Sequence, residues 1–261
     1  MIQVGLSTAS VWPLRARSGF EMAASLGFDG VEVMVWADPE SQDVTAVRRR
    51  SRETGMPVLA LHAPCLLITQ RVWSPDPVVR LRRSVEAAVD LGAPTVVVHP
   101  PFRWQRRYAA GFADLVAELE ASSGVHIAVE NMFPVRTPRG RTVSAFRPSV
   151  DPTDVGHAHY TLDLSHTATA GMDALALAER MGKRLTHVHM GDGTGLAKDE
   201  HLLPGRGTQP CAELLEKLAG TGFGERGGQV VLEVNTRSAR TESERAKMLS
   251  EALLFTRLHL G

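Results

Sequence analysis

The residues best suited to chemistry gather between Leu185 and Gly207, in LTHVHMGDGTGLAKDEHLLPGRG. Leu185 to His189 alternates as a short strand, which turns His187 and His189 to one face. Gly191, Gly193 and Gly195 then break it into a loop carrying Asp192, Asp199 and His201, closed by Pro204-Gly205-Arg206-Gly207. Neutral imidazole and carboxylate together ligate zinc or manganese, so a strand ending in His before an Asp-x-His loop suits a metal site. Two polar loop residues beside a core histidine would give the same local pattern. The surrounding elements must decide.

Short apolar runs alternate with longer amphipathic ones along the whole chain, which predicts a parallel sheet with crossover helices. The strands are expected at Ile2 to Ser7, Gly30 to Val35, Pro57 to His62, Thr95 to His99, Val125 to Glu130, His159 to Asp163, Leu185 to His189 and Gln229 to Val234. Helices are expected near Arg15 to Leu26, Val44 to Thr54, Val78 to Leu91, Tyr108 to Ala121, Asp173 to Met181, Cys211 to Ala219 and Thr241 to Leu258. Glycine stops several of them. Eight such strands predict an α/β fold, a single-domain (β/α)8 TIM barrel over residues 1–261. No glycine-rich phosphate fingerprint follows the first strand, which counts against an open dinucleotide-binding sheet.

This reading gives the strand ends a common meaning. His62, His99, Glu130, Asp163 and His189 end strands three to seven, and Glu233 lies near the end of strand eight. In a barrel all six face the C-terminal rim, where active sites are built. One strand-end histidine or glutamate is ordinarily a structural hydrogen-bonder. Six together are costly to bury unless a cation or hydrogen bonds satisfy them. His166, Asp199 and His201 join from loops, making nine candidate metal ligands. Glu32, inside strand two, suits a carboxylate that orients a ligand histidine. His187 reads as a buried core histidine, and His126, His157, His159 and His259 as structural or solvent-facing.

Composition fixes the setting. The chain has 261 residues, 43% hydrophobic, enough for one sizeable core, and a net charge of zero that advertises no nucleic-acid partner. Two cysteines outside any CxxC spacing fit a reducing compartment. Without a signal-peptide pattern or a membrane-length apolar run, the expectation is a cytoplasmic protein with no membrane partner. Arginine far outnumbers lysine. Arg103, Arg106, Arg107, Arg136, Arg139, Arg141, Arg147 and Arg206 fall in the loops after strands four, five and seven, where guanidinium forks suit phosphate oxygens.

These residues resemble the xylose isomerase-like TIM-barrel superfamily, which includes sugar isomerases and epimerases and the zinc-dependent nuclease endonuclease IV. The resemblance runs from GFDGVEV at Gly27 to VLEVN ending at Asn235. LHAP at His62, VVHP at His99, Glu130-Asn131, Asp163-x-x-His166, His189, Asp199-x-His201 and Glu233 are similar to the three-zinc set of endonuclease IV. The sugar epimerases are similar at Glu130, Asp163, His189 and Glu233 around one metal, with His166 near the substrate. Endonuclease IV carries an aromatic residue where this chain has Cys65, and it meets DNA after strand two, where this chain reads VWADPESQD. The family therefore implies one to three divalent ions, zinc or manganese, with Glu130 and Glu233 as catalytic carboxylates and His166 near the substrate; the arginine-rich loops add Arg206 as a residue expected to touch substrate. It implies a small sugar or sugar phosphate isomerised or epimerised, and as its alternative an endonuclease IV-like multi-zinc phosphodiester hydrolase. DNA is the disfavoured partner, because Asp38 and Glu40 would repel phosphate.

Overall fold

The computed structural model describes residues 1–136 and 142–261, with residues 136 and 142 described by backbone alone, so Arg139 and Arg141 lie outside the described residues. Eight parallel strands close into one barrel: β1 Gln3–Ser7, β2 Gly30–Met34, β3 Val58–His62, β4 Thr95–Val98, β5 His126–Glu130, β6 His159–Asp163, β7 Leu185–Met190 and β8 Gln229–Leu232. Each strand pairs with its sequence neighbours, and β8 returns to β1 with Gln3 opposite Gln229. The eight expected strands are all present, displaced at their ends by two residues at most.

The connecting helices are α1 Ala16–Leu26, α2 Val44–Thr54, α3 Pro77–Leu91, α4 Arg106–Ser123, α5 Leu164–Ala170, α6 Ala174–Met181, α7 Cys211–Ala219 and α8 Glu242–Leu260. Several of their caps are legible locally. Asp76 precedes Pro77 and accepts the Val78 N–H, so the Asp-Pro pair starts α3. Gly92 ends it at φ +71, a conformation that costs glycine nothing. The seven expected helices match these elements, but α5 and a four-residue helix at Pro39–Gln42 were not foreseen. Seven residues and four are too few to show a helical period. A two-stranded ribbon, Val135–Arg136 with Thr142–Val143, was likewise not foreseen.

The core lies between barrel and helices. Phe20, Leu81, Leu177, Leu214 and Leu249 pack from the helices against outward strand residues such as Leu6, Ile127 and Leu162, all fully buried or nearly so. Each such side chain contributes about 1.5–3 kcal/mol of burial. Inside the barrel the upper layers are polar. Glu32 and His187 are fully buried, with His187 Nε2 3.0 Å from Glu32 Oε2. This agrees with reading His187 as a core residue. The outer histidines are also structural: His159 pairs with Glu120 and stacks on His126, and His259 pairs with Glu216. No helix among the described residues is long and apolar enough to cross a membrane.

Candidate metal centre

The strand register carries six side chains to one rim. His62, Glu130 and Asp163 are the last residues of β3, β5 and β6, and His189 is the penultimate residue of β7. His99 and Glu233 follow β4 and β8 directly. Asp163 lies opposite His189 in the ladder, and His189 opposite Val231, which sets Glu233 beside the same ring.

His189 is the hub. Its Nδ1 lies 2.8 Å from Glu130 Oε1, 3.2 Å from Glu233 Oε2 and 3.6 Å from Asp163 Oδ2. Its Nε2 lies 3.0 Å from Glu32 Oε2, on the barrel-interior side. A carboxylate accepts only, so Glu32 holds a proton on Nε2; without a cation Nδ1 carries the second proton and donates to Glu130, and with a cation bound its lone pair is free to ligate. This is the orienting role expected of Glu32.

The other imidazoles follow the same logic. His62 Nδ1 donates to the Ala63 carbonyl at 3.0 Å, leaving Nε2 3.5 Å from Glu130 Oε2. His99 Nε2 lies 3.0 Å from that same oxygen. His166 Nδ1 donates to the Asn131 carbonyl at 2.8 Å, and His201 Nδ1 to the Glu233 carbonyl at 3.0 Å. Their Nε2 atoms then face Asp199 Oδ2 at 3.3 and 2.8 Å. Lone pairs from nitrogen and oxygen thus converge in three sets: His62, His99 and Glu130; Glu130, Asp163, His189 and Glu233; His166, Asp199 and His201. Glu130 bridges the first two.

Two buried oxygens in these sets, Glu130 Oε2 and Asp163 Oδ2, accept no aligned hydrogen bond. An orphaned buried carboxylate oxygen costs several kcal/mol on the order of magnitude of a lost charged hydrogen bond. A divalent ion at the first set would satisfy Glu130 Oε2 and one at the second Asp163 Oδ2, and the donor types are those of zinc or manganese. Ligand atoms of Glu130, Asp163 and His189, and of Asp163, His166 and His201, lie within 4.8 Å of one another, close enough to share an ion.

The electrostatics of the cluster point the same way. Burial pushes the Glu130 carboxyl up, but the charge and hydrogen bond of His189, with the imidazoles of His62 and His99 close by, hold it well below the usual range. Asp199 is held low by His201 and His166 against the same burial penalty. Burial opposes the protonated imidazole of His166, yet Asp163 and Asp199 raise it to about 10. Glu233 differs, because burial leaves its carboxyl raised. The cluster demands positive charge, which protons or a divalent cation can supply.

Local structure explains how the loop residues arrive. Asp163 is the N-cap of α5, and its Oδ1 accepts the His166 N–H at 2.7 Å, so Asp-x-x-His sets ring and carboxylate side by side. Ser165, on the same turn, donates to Asp199 Oδ1 at 2.6 Å and accepts the His201 N–H at 2.9 Å. His201 adopts φ +46, a strained region for a non-glycine residue, fixed by those bonds and by the Asn235 N–H on its carbonyl. Beneath the loop, fully buried Asp192 accepts four backbone N–H groups, from Gly193, Gly205, Gly207 and Gln209, at 2.8 to 3.0 Å. A Cβ on Gly207 would lie 2.3 Å from Asp192 Oδ1, so only glycine lets the backbone approach. The roles of Ser165 and Asp192 were not foreseen. The glycine spacing around Asp192 was the available signal.

Other expectations change. Arg206 does not reach the cluster, because its guanidinium is clasped by Glu251 of α8 at 2.6 to 2.9 Å on the outer surface. Arg103, Arg106, Arg107 and Arg147 do not line the cleft above the cluster either. Asp38 and Glu40 both have local structural partners. Asp38 accepts the Ala16 and Glu40 N–H groups, and Glu40 pairs with Arg50 at 2.7 Å. Cys65 sits behind the first set, its Sγ 3.9 Å from His62 Nδ1. Burial pushes its thiol up, but His99 and His62 pull it down to about 6. The cleft over the cluster has a volume of about 260 Å³ and is walled by Trp12, Trp36, Leu66, Lys198, Asn235 and Arg237.

A family model described as xylose isomerase-like TIM barrel matches residues 20–259. An uncharacterized protein of Mycobacterium tuberculosis (strain ATCC 25618 / H37Rv) is 60% identical over 277 residues, covering 99% of this chain and 98% of its own. Among solved structures, a 3-keto-D-glucoside 4-epimerase from E. coli is similar with a TM-score of 0.71 at 18% identity, covering 99% of this chain and 100% of that one. A D-psicose 3-epimerase from Clostridium cellulolyticum H10 is similar with a TM-score of 0.70 at 18% identity, covering 99% of each chain. At those identities the likeness is one of fold. Fold, rim and family model agree: the chain belongs to the xylose isomerase-like TIM-barrel family.

Proposed function

We propose that this protein is a divalent-metal-dependent isomerase or epimerase of a small sugar or sugar phosphate. One observation carries the reading: Glu130 and Glu233 lie 2.8 and 3.2 Å from the same His189 nitrogen, at the floor of a sugar-sized cleft. Glu130, Asp163, His189 and Glu233 would hold the ion, zinc or manganese, which polarises a carbonyl or hydroxyl pair when bound. Glu130 and Glu233 take and return the proton at the reacting carbon, and His166 hydrogen-bonds the sugar. Trp12 and Trp36 wall the cleft and would help exclude water from a bound sugar. The epimerase names of the similar folds support this choice without fixing the substrate.

A second reading, a multi-zinc phosphoester hydrolase, is favoured by the two ligand sets beyond the epimerase four. His62 and His99 converge on Glu130, and His166 and His201 on Asp199. Two or three ions there would neutralise charge developing on a phosphoester. One experiment separates the readings. Metal-loaded protein is incubated in D2O with ketoses and ketose phosphates and, separately, with abasic duplex DNA, with and without chelator. The expected result is a new sugar isomer, seen by NMR and abolished by the chelator. Strand incision or phosphate release with no isomer would install the hydrolase reading instead.

A further inference from the structure

We propose that the substrate carries a phosphate group, read at the mouth of the cleft by Arg237 and Lys198. The inference rests on the sugar reading above and narrows it. Both residues line the cleft together with Glu233, His201 and Asn235. Among the described residues, neither forms an ion pair. The contrast with other surface arginines is direct: Arg206 is neutralised by Glu251, Arg50 by Glu40 and Arg257 by Asp29. The phosphate-binding role that sequence spacing suggested for Arg206 thus falls to two other cations.

The Arg237 side chain is placed without its donors being spent. Its guanidinium carbon lies 4.0 Å from the centroid of the Trp12 ring. Stacking on an aromatic face holds the plane of the guanidinium and leaves the N–H groups on its edge available for an oxyanion. The support is rigid. Buried Arg245 donates to the carbonyls of both Trp12 and Thr236, at 3.2 and 3.1 Å, locking the loops that bear the stacked pair. The Arg237 N–H is bound to Asn235 Oδ1 at 3.1 Å. On the loop after the neighbouring strand β7, the Lys198 carbonyl accepts from Thr169 Oγ1 at 3.3 Å, fixing its backbone beside Asp199.

Charge decides between anions. The carboxylates Glu130, Asp199 and Glu233 line the cleft, as does Glu200, whose Oε2 accepts from the Thr194 N–H and hydroxyl, and together they repel an anion unless cations compensate nearer to it. Two full positive charges at the mouth match a phosphate monoester, which carries about −1.5 to −2 at pH 7. A carboxylate would use only one of them. The guanidinium fork and the point charge of an ammonium together suit the three phosphate oxygens.

The test is isothermal titration of the metal-loaded full chain with D-ribulose, D-ribulose 5-phosphate, D-fructose, D-fructose 6-phosphate and D-fructuronate, at low and high NaCl. At least one phosphorylated ketose is expected to bind about tenfold or more tighter than its free form, with the uronate between them. That preference should shrink with salt. In Arg237→Met the affinity for the phosphate ester should fall at least about tenfold further than that for the free ketose, and Arg237→Lys should recover part of the loss. Lys198→Met should show the same selectivity to a smaller extent. Equal affinity for free and phosphorylated ketoses, no binding of either phosphate ester, or an equal loss for both forms in Arg237→Met would overturn the proposal. The same samples score the isomerase reading separately, by the appearance of a new sugar. Phosphate preference without an isomer sinks only that reading, and an isomer without phosphate preference sinks only this one.

Discussion

Glu233→Gln is expected to lower kcat of the sugar reaction by between about 100- and 10,000-fold, the range for removing a positioned acid or base. The amide keeps the shape of the side chain and can still hydrogen-bond, so the fold should stay intact, with a thermal midpoint near that of the wild type. Glu233 also belongs to the set that would hold the ion, so the kinetics are measured at saturating metal, where the loss should fall on kcat more than on KM. Glu130→Gln should go further. Glu130 serves His189 through Oε1 and both His62 and His99 through Oε2, so its replacement strips charge from two ligand sets at once. Steady-state kinetics of both variants against wild type read the difference. A Glu233→Gln protein with wild-type kcat would remove the carboxylate pair from the mechanism.

Asp192→Ala carries the largest expected effect on stability. Its carboxylate is fully buried and gathers four backbone N–H groups from three turns of one loop. Removing it leaves four backbone donors without their acceptor, the Gly193 N–H buried and the other three on exposed or partly exposed residues, at a cost of about 3 kcal/mol. For a chain of this size that lowers Tm by on the order of 10 °C. The damage should also reach the cluster, because the Asp192 backbone pairs with Leu202, one residue from His201. Asp192→Asn should be intermediate, since an amide nitrogen would face two N–H donors in place of an oxygen. Calorimetric unfolding with metal analysis of each variant tests both parts. A wild-type midpoint and metal content in Asp192→Ala would show that the loop holds itself.

The barrel and the rim were legible in the sequence because each rests on a local signal. Strand runs such as TVVV and LTHVH are buried on both faces, and a single polar residue at the end of an apolar run stands out. Parallel closure then brings His62, Glu130 and His189 together with no further information. The Asp163 and His166 pairing was legible as a motif, although its cause, an N-cap on a seven-residue helix, was too short to read. What stayed hidden depends on contacts between distant segments. Arg206 looked like a phosphate ligand in the linear sequence, but Glu251, 45 positions away, claims its guanidinium. Asp38 and Glu40 looked like free charge, yet the fold spends them on α1 and Arg50. Arg237 stood out only as part of Asn235-Thr236-Arg237, which is similar to the sugar enzymes, because its placement comes from Trp12 at the opposite end of the chain.

The claim on which all of this depends is that lone pairs on nine side chains converge to hold cations. Elemental analysis of the purified protein after saturation with zinc or manganese, and removal of free ion, measures it directly. At least two ions per chain are expected, one served by Glu130, Asp163, His189 and Glu233 and another by His166, Asp199 and His201. His201→Ala should then bind fewer ions than wild type while retaining at least one. A wild-type protein that holds no stoichiometric ion, or a single ion that His201→Ala leaves unchanged, would contradict the account.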